Sequence, residues 1–262
     1  MKKIFAPLLS LTVFAALAFL VACGEIPDRE RKSINFMNPG EEARLGITEF
    51  NRLKSELKVS QDPRYNAAVQ LVGARLAKVM PVPDAQWEFV VFDDPSPNAF
   101  ALPGGKVGVH SGLFQIAQSE AGLAAVIGHE VAHVVARHSG ERVSRGVLTA
   151  GAVAAGAYLL NKNADVDPKV AIALLGGAAA LNFKAHSRDQ ELEADKLGSL
   201  YMARAGYDPR ESIRLWERFS AYRERVDQEQ NFSLLSTHPV DSIRIDNLKE
   251  FMPTAMREYR AM

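Results

Sequence analysis

"GHEVAHVVARH", residues 128–138, places three histidines and one glutamate in eleven positions of a largely apolar stretch. On a helix, His129 and His133 are separated by about 400° of rotation, so they lie within about 40° of one face and one turn apart. That spacing lets two imidazoles share one zinc ion. Glu130 is turned by about 100° and is not itself a ligand, but it can reach a water beside the metal. HEVAH thus fits the HExxH pattern of two metal ligands and a general base. Burying two histidines and a glutamate on an apolar helix would otherwise be costly, and ligation accounts for that cost.

The helical pattern begins near Gln118. Gly140 stands where a left-handed C-terminal cap belongs. Within such a helix His138, nine residues from His129, would lie about 180° away from it. It therefore reads as a histidine near the helix C-terminus, where the dipole favours it, and not as the third ligand.

A catalytic zinc site usually takes three protein ligands and leaves one position open. "RDQELEADKLG" offers Glu191, Glu193 and Asp195 on a second helix. Glu191 and Asp195 share a face, and Glu193 points away from it. Ala194 and Gly198 leave room for close packing against another helix. One carboxylate of the shared face could bind the metal, and the other could hydrogen-bond a ligating histidine and fix its tautomer. Spacing alone does not say which.

Working outward, "EEARLGITEFNRLKSEL" and "PRYNAAVQLVGARLAKVM" carry helical periodicity. "QWEFVVFDD" reads as a strand, "PSPNAFALPGG" as a turn-rich segment, and "KVGVHSGLF" as a second strand running into a helix. Asp208, Pro209 and Glu211 read as N-cap, first-turn proline and capping-box partner of a later helix. The expected class is α+β, mostly helical, with a small sheet beside the HExxH helix and one domain over 41–262. Residues 141–186 hold two apolar runs around "NKNADVDPK". They read as a buried or surface helical hairpin, or as a lid that touches a membrane.

Residues 1–22 have a basic start and an apolar run, and "LVAC" closes the segment at Cys23. This is the form of a lipoprotein export signal, with Cys23 acylated and residues 23–40 as a polar tether. Acyl chains would hold the protein on a membrane of the bacterial envelope, facing the periplasm. Gly24 after the cysteine leans towards the outer membrane. Cys23 is the only cysteine, so no intramolecular disulfide forms. The net charge is zero over 262 residues, with no basic stripe, which argues against a nucleic-acid partner.

HEVAH followed by "ELEAD" resembles metallopeptidase family forty-eight. That is the family of the CAAX prenyl endopeptidases and HtpX proteases, and the resemblance is nearest to the periplasmic lipoprotein branch of BepA and LoiP. "NAFALPGGKVGVHSGL" and "THPVDSIRI" are similar to the family's Asn-Ala-Phe segment with its rim strand and to its His-Pro segment. The resemblance implies a zincin-like fold of the gluzincin type and one Zn²⁺ per chain on His129, His133 and Glu191. It implies that Asp195 and Arg244 stand behind the ligands and support them, with His238 and Arg244 at the positions that flank the reacting carbonyl. It also implies a substrate-binding edge formed by Asn98 and by Lys106, Val107, Gly108 and Val109 of the strand over 106–110. With Glu130 as base, this describes a zinc endopeptidase acting on unfolded or misassembled envelope polypeptides, with an envelope-assembly protein as a candidate partner. A loop histidine at 238 could donate to the oxyanion, or its neutral nitrogen could cap the metal. Two other readings stand beside this one: a chaperone or adaptor lipoprotein with structural zinc, and a zinc hydrolase of non-peptide envelope material.

Overall fold

The computed structural model describes residues 28, 33–82, 84–148, 186–225, 234, 237–239 and 241–260. The signal, Cys23 and most of the 141–186 segment lie outside the described residues. The chain divides into two compact units, Met1–Met37 with Ser139–Asn182 and Asn38–His138 with Phe183–Met262. In the first unit, Glu141 pairs with Arg145 along the helical residues 139–148. The second holds every candidate site residue except Cys23.

Helices α1 (Pro39–Glu56) and α2 (Pro63–Ala77) start alike. Asn38 and Asp62 cap them by accepting from Gly40 N and Arg64 N at 2.8 and 2.9 Å. Pro39 and Pro63 then occupy the first helical position, where a missing N–H costs nothing. Strands β1 (Glu88–Phe92), β2 (Ala99–Leu102) and β3 (Lys106–His110) form one sheet in the order β1-β3-β2. β1 runs parallel to β3 and β2 antiparallel to it.

That order corrects the expected substrate edge. β3 is the central strand, all five of its residues are buried, and both of its edges are paired. Lys106, Val107, Gly108 and Val109 therefore cannot accept an added strand. Lys106 Nζ donates to Gln86 O at 2.8 Å, and Phe100 lies so close over Gly108 that a Cβ there would meet its ring at 2.3 Å. The edge belongs to β2, hidden in what reads as a turn-rich segment, with Asn98 just before it. β2 packs beside the HExxH helix, and among the described residues no strand pairs with its outer side.

The one-turn helix α3 (Phe114–Ala117) leads to α4 (Glu120–Val135), which carries HEVAH and is capped by Ser119 accepting from Gly122 N at 3.0 Å. α4 stops at Val135, earlier than expected, and the left-handed residue is Arg137 at φ 54°. Gly140 lies in the next helical stretch and caps nothing here. α5 (Arg188–Arg204) opens with a full capping box between Ser187 and Gln190. α6 (Glu211–Arg225) and α7 (Ser242–Arg260) complete the unit. At α6 the expected capping box is absent: Glu211 pairs with Arg214 and Arg218, while Asp208 accepts from Arg210 N. Among the described residues no helix is long and apolar enough to cross a membrane.

α4 and α5 touch backbone to backbone. A Cβ on Gly198 would sit 2.8 Å from His129 N, and one on Gly128 3.1 Å from Gly198 O. This contact brings the carboxylates of α5 to the histidines of α4. Gly198→Ala should therefore push the helices apart and cost about 1–3 kcal/mol, with weaker metal retention. Thermal melts and a metal titration check this, and an unchanged melting temperature with full retention would show that the close contact is dispensable.

Candidate active site

Both α4 histidines turn Nε2 to the same point, 3.1 Å apart. Glu191 on α5 supplies Oε2 at 3.4 Å from His129 Nε2 and Oε1 at 3.4 Å from His133 Nε2. His238, in the loop before α7, places Nδ1 at 3.3 Å from His129 Nε2 and 2.9 Å from Glu191 Oε1. All four residues are buried. The edge of a tetrahedron of zinc ligands at 2.0–2.1 Å is about 3.3–3.4 Å, so these spacings suit one ion. One buried carboxylate oxygen at this point, Glu130 Oε1, lacks a hydrogen-bond partner, as expected where a cation's water is to be held. The residues fit the metal that the pattern implies.

Asp195 stands behind His129, with Oδ1 at 2.9 Å from Nδ1. The distance is that of a hydrogen bond, although the alignment at His129 Nδ1 is poor. Arg244 grips Asp195 with Nε and Nη2 at 2.8 and 2.7 Å, and lies 2.8 Å from Glu191 Oε2. Trp216 donates to Asp195 Oδ1 at 3.1 Å and stacks under the guanidinium at 4.4 Å. Arg244 is buried behind the ligands and also donates to Pro239 O at 3.0 Å, so it ties the His238 loop to α5. It braces the site from behind, as a residue supporting the ligands would.

Electrostatics follow from burial and these partners. Burial raises the Glu130 carboxyl above its ordinary range, against the pull of His238 and His129. Burial would raise Asp195 too, but Arg244 outweighs it and holds the carboxyl low. For His129, burial opposes the charge, yet Asp195 and Glu191 win and lift it to about 9. His133 goes well below the usual value through burial and its histidine neighbours. These adjacent rings therefore do not charge together.

Two expected placements change. His138, expected on the side of the helix away from His129, is fully buried against the site, and its Nδ1 sits 2.8 Å from His133 Nδ1. Glu193, expected to point away, reaches His138 Nε2 at 2.8 Å. His186 and Trp216 were not anticipated. The His186 ring covers His133 at 3.8 Å between centroids. Both come from distant segments, and neither has a sequence signal beyond being a rare residue type.

Residues 63–252 match the model of Peptidase family M48. The chain belongs to that family. It is 34% identical over 233 residues to the mitochondrial metalloendopeptidase OMA1 of Schizosaccharomyces pombe, covering 88% of this chain and 66% of that one. It is 31% identical to a putative beta-barrel assembly-enhancing protease of Vibrio cholerae, covering 86% and 47%, and 27% identical to the beta-barrel assembly-enhancing protease of Escherichia coli, covering 87% and 47%. The chain thus spans between about half and two-thirds of the length of these relatives. In this M48 chain the HExxH helix and the first carboxylate of ELEAD meet at one buried point, the His/His/Glu arrangement of a metallopeptidase centre.

Proposed function

We propose that this protein is a zinc-dependent endopeptidase. The single observation that carries the reading is the group of four buried residues whose ligand atoms converge, with the unpartnered Glu130 oxygen beside it. His129, His133 and Glu191 would hold the zinc ion, which when bound lowers the pKa of a water and polarises the substrate carbonyl. Glu130 accepts the proton from the attacking water and delivers it to the leaving amine. Its raised pKa suits that exchange at neutral pH. Asp195 and Arg244 keep His129 oriented. An extended substrate would lie along the outer side of β2, held by backbone hydrogen bonds that require no particular side chains. Such binding fits chains that are unfolded or not yet assembled.

The lipobox-like LVAC supports tethering by acylated Cys23 at the bacterial envelope, with the outer membrane favoured by Gly24. Likeness to proteases named for beta-barrel assembly and for mitochondria supports quality control of envelope proteins as the role. Incubation of the purified full chain with an unfolded protein tests the reading. Internal peptide bonds should be cut, cutting should stop with a chelator, and zinc should restore it. Zinc binding without cleavage would leave a structural centre, and cleavage that survives metal removal would end the metalloenzyme reading.

A further inference from the structure

His133 is the only zinc-ligand candidate on α4 whose Nδ1 meets another ring instead of a carboxylate. Its partner, His138 Nδ1, is 2.8 Å away. That is a hydrogen-bond distance, and it is shorter than the about 3.3 Å separating two nitrogens on one tetrahedral zinc. The cluster of His133, His138 and His186 therefore suits a proton between two rings better than a second ion. The direction of that hydrogen bond can be deduced. With Nε2 of His133 turned to the ligand group, its proton stands on Nδ1 and is donated. His138 Nδ1 must then accept, which leaves the His138 proton on Nε2. Glu193 Oε2 is there to accept it, at 2.8 Å.

The backbone holds this arrangement. On a continuous helix, His138 would lie about 140° around the axis from His133. The break at Ala136 and Arg137 turns it back. Arg137 is left-handed at φ 54°, a conformation costing a non-glycine residue about 1 kcal/mol. Its guanidinium grips the buried Glu42 through Nε and Nη2, both at 3.1 Å. Gln190 Nε2 reaches His138 O at 3.4 Å, and Gln190 closes the capping box of the helix that carries Glu193. His138 is fully buried and the Glu193 side chain is 10% exposed, so bulk water does not compete for the hydrogen bonds.

We propose that His138 and Glu193 form a positioning pair for the metal ligand His133: Glu193 fixes the tautomer of His138, and His138 fixes that of His133. The inference rests on the site being a metal centre. It gives the two α4 ligands different supports, a carboxylate directly on His129 and an imidazole backed by a carboxylate on His133. Neither member of the pair touches the reacting atoms.

Two measurements test it on the full chain. In the zinc-loaded protein, nitrogen NMR of labelled histidines should show His138 neutral with its proton on Nε2, and His133 with its proton on Nδ1. A His138 protonated on Nδ1, or on both nitrogens, overturns the proposal. In zinc titrations against a competing chelator, His138→Leu and Glu193→Ala should each weaken affinity by about 10–100-fold, the usual effect of losing a ligand's partner. Glu193→Gln keeps an accepting oxygen and should lose less than Glu193→Ala. The double variant should lose no more than His138→Leu alone, because Glu193 acts through His138; additive losses would count against the pair. His129→Ala separates the two readings. If it binds zinc as tightly as the wild type, the metal-centre reading fails. If it loses zinc while His138→Leu and Glu193→Ala stay within twofold of wild type, only the positioning pair fails.

Discussion

Replacing Glu130 by Gln should leave zinc bound and lower peptide turnover by about 10²–10⁴-fold, the usual contribution of a general base. The substitution preserves shape and removes only the ability to take a proton. Glu130 is not one of the four residues whose ligand atoms converge, so metal content should not change. Its Oε1 is buried without a hydrogen-bond partner, and His238 Nε2 lies 3.4 Å away. A buried carboxylate left in that condition is costly, and burial raises its pKa accordingly. A structural metal centre would have no reason to retain it. Metal analysis and turnover of an unfolded substrate, measured on one preparation, decide the matter. Near-normal turnover would remove Glu130 from the chemistry, and loss of metal would place it among the ligands.

The site was legible in the sequence wherever its geometry stays within one helix. His129, Glu130 and His133 sit on one continuous helix, so the 3.6-residue period placed all three. Glu191 and Asp195 were likewise placed on one face. Which of them meets the metal was decided by the close contact at Gly128 and Gly198, a tertiary fact that spacing does not carry. The reading failed at the point where α4 stops. Gly140 is the usual residue for a left-handed turn, but Arg137 takes that conformation, with the Glu42 ion pair at its side chain. Extrapolating the helix past that turn put His138 on the wrong side and left Glu193 without a partner. The sheet was misread for a related reason. Ala99–Leu102 is four apolar residues between prolines and glycines, with no polar alternation to mark a strand, and one missed strand turned the central β3 into an apparent edge.

His238→Ala should raise turnover of an unstructured peptide, by about tenfold if the closed arrangement is favoured by about 1.4 kcal/mol. A catalytic zinc site needs an open position for its water and substrate. Here His238 Nδ1 joins the ligand atoms of His129, His133 and Glu191, and its Nε2 faces Glu130, so one ring takes up the fourth position and crowds the base. It cannot donate to an oxyanion from that pose. The loop is fastened on both sides: His238 N donates to Leu234 O at 2.7 Å, His186 N donates to Thr237 O at 3.1 Å, and Arg244 holds Pro239. Release of the ring would therefore have to break these contacts, and a protein resting in this pose would be latent. The opposing effect is also calculable. An oxyanion donor is worth about 10²–10³ in turnover, so a fall of that size with zinc retained would return His238 to the transition state as a donor. An unchanged rate and an unchanged zinc affinity together would exclude both roles, and the imidazole would then only pack against His186 at 5.0 Å between ring centroids.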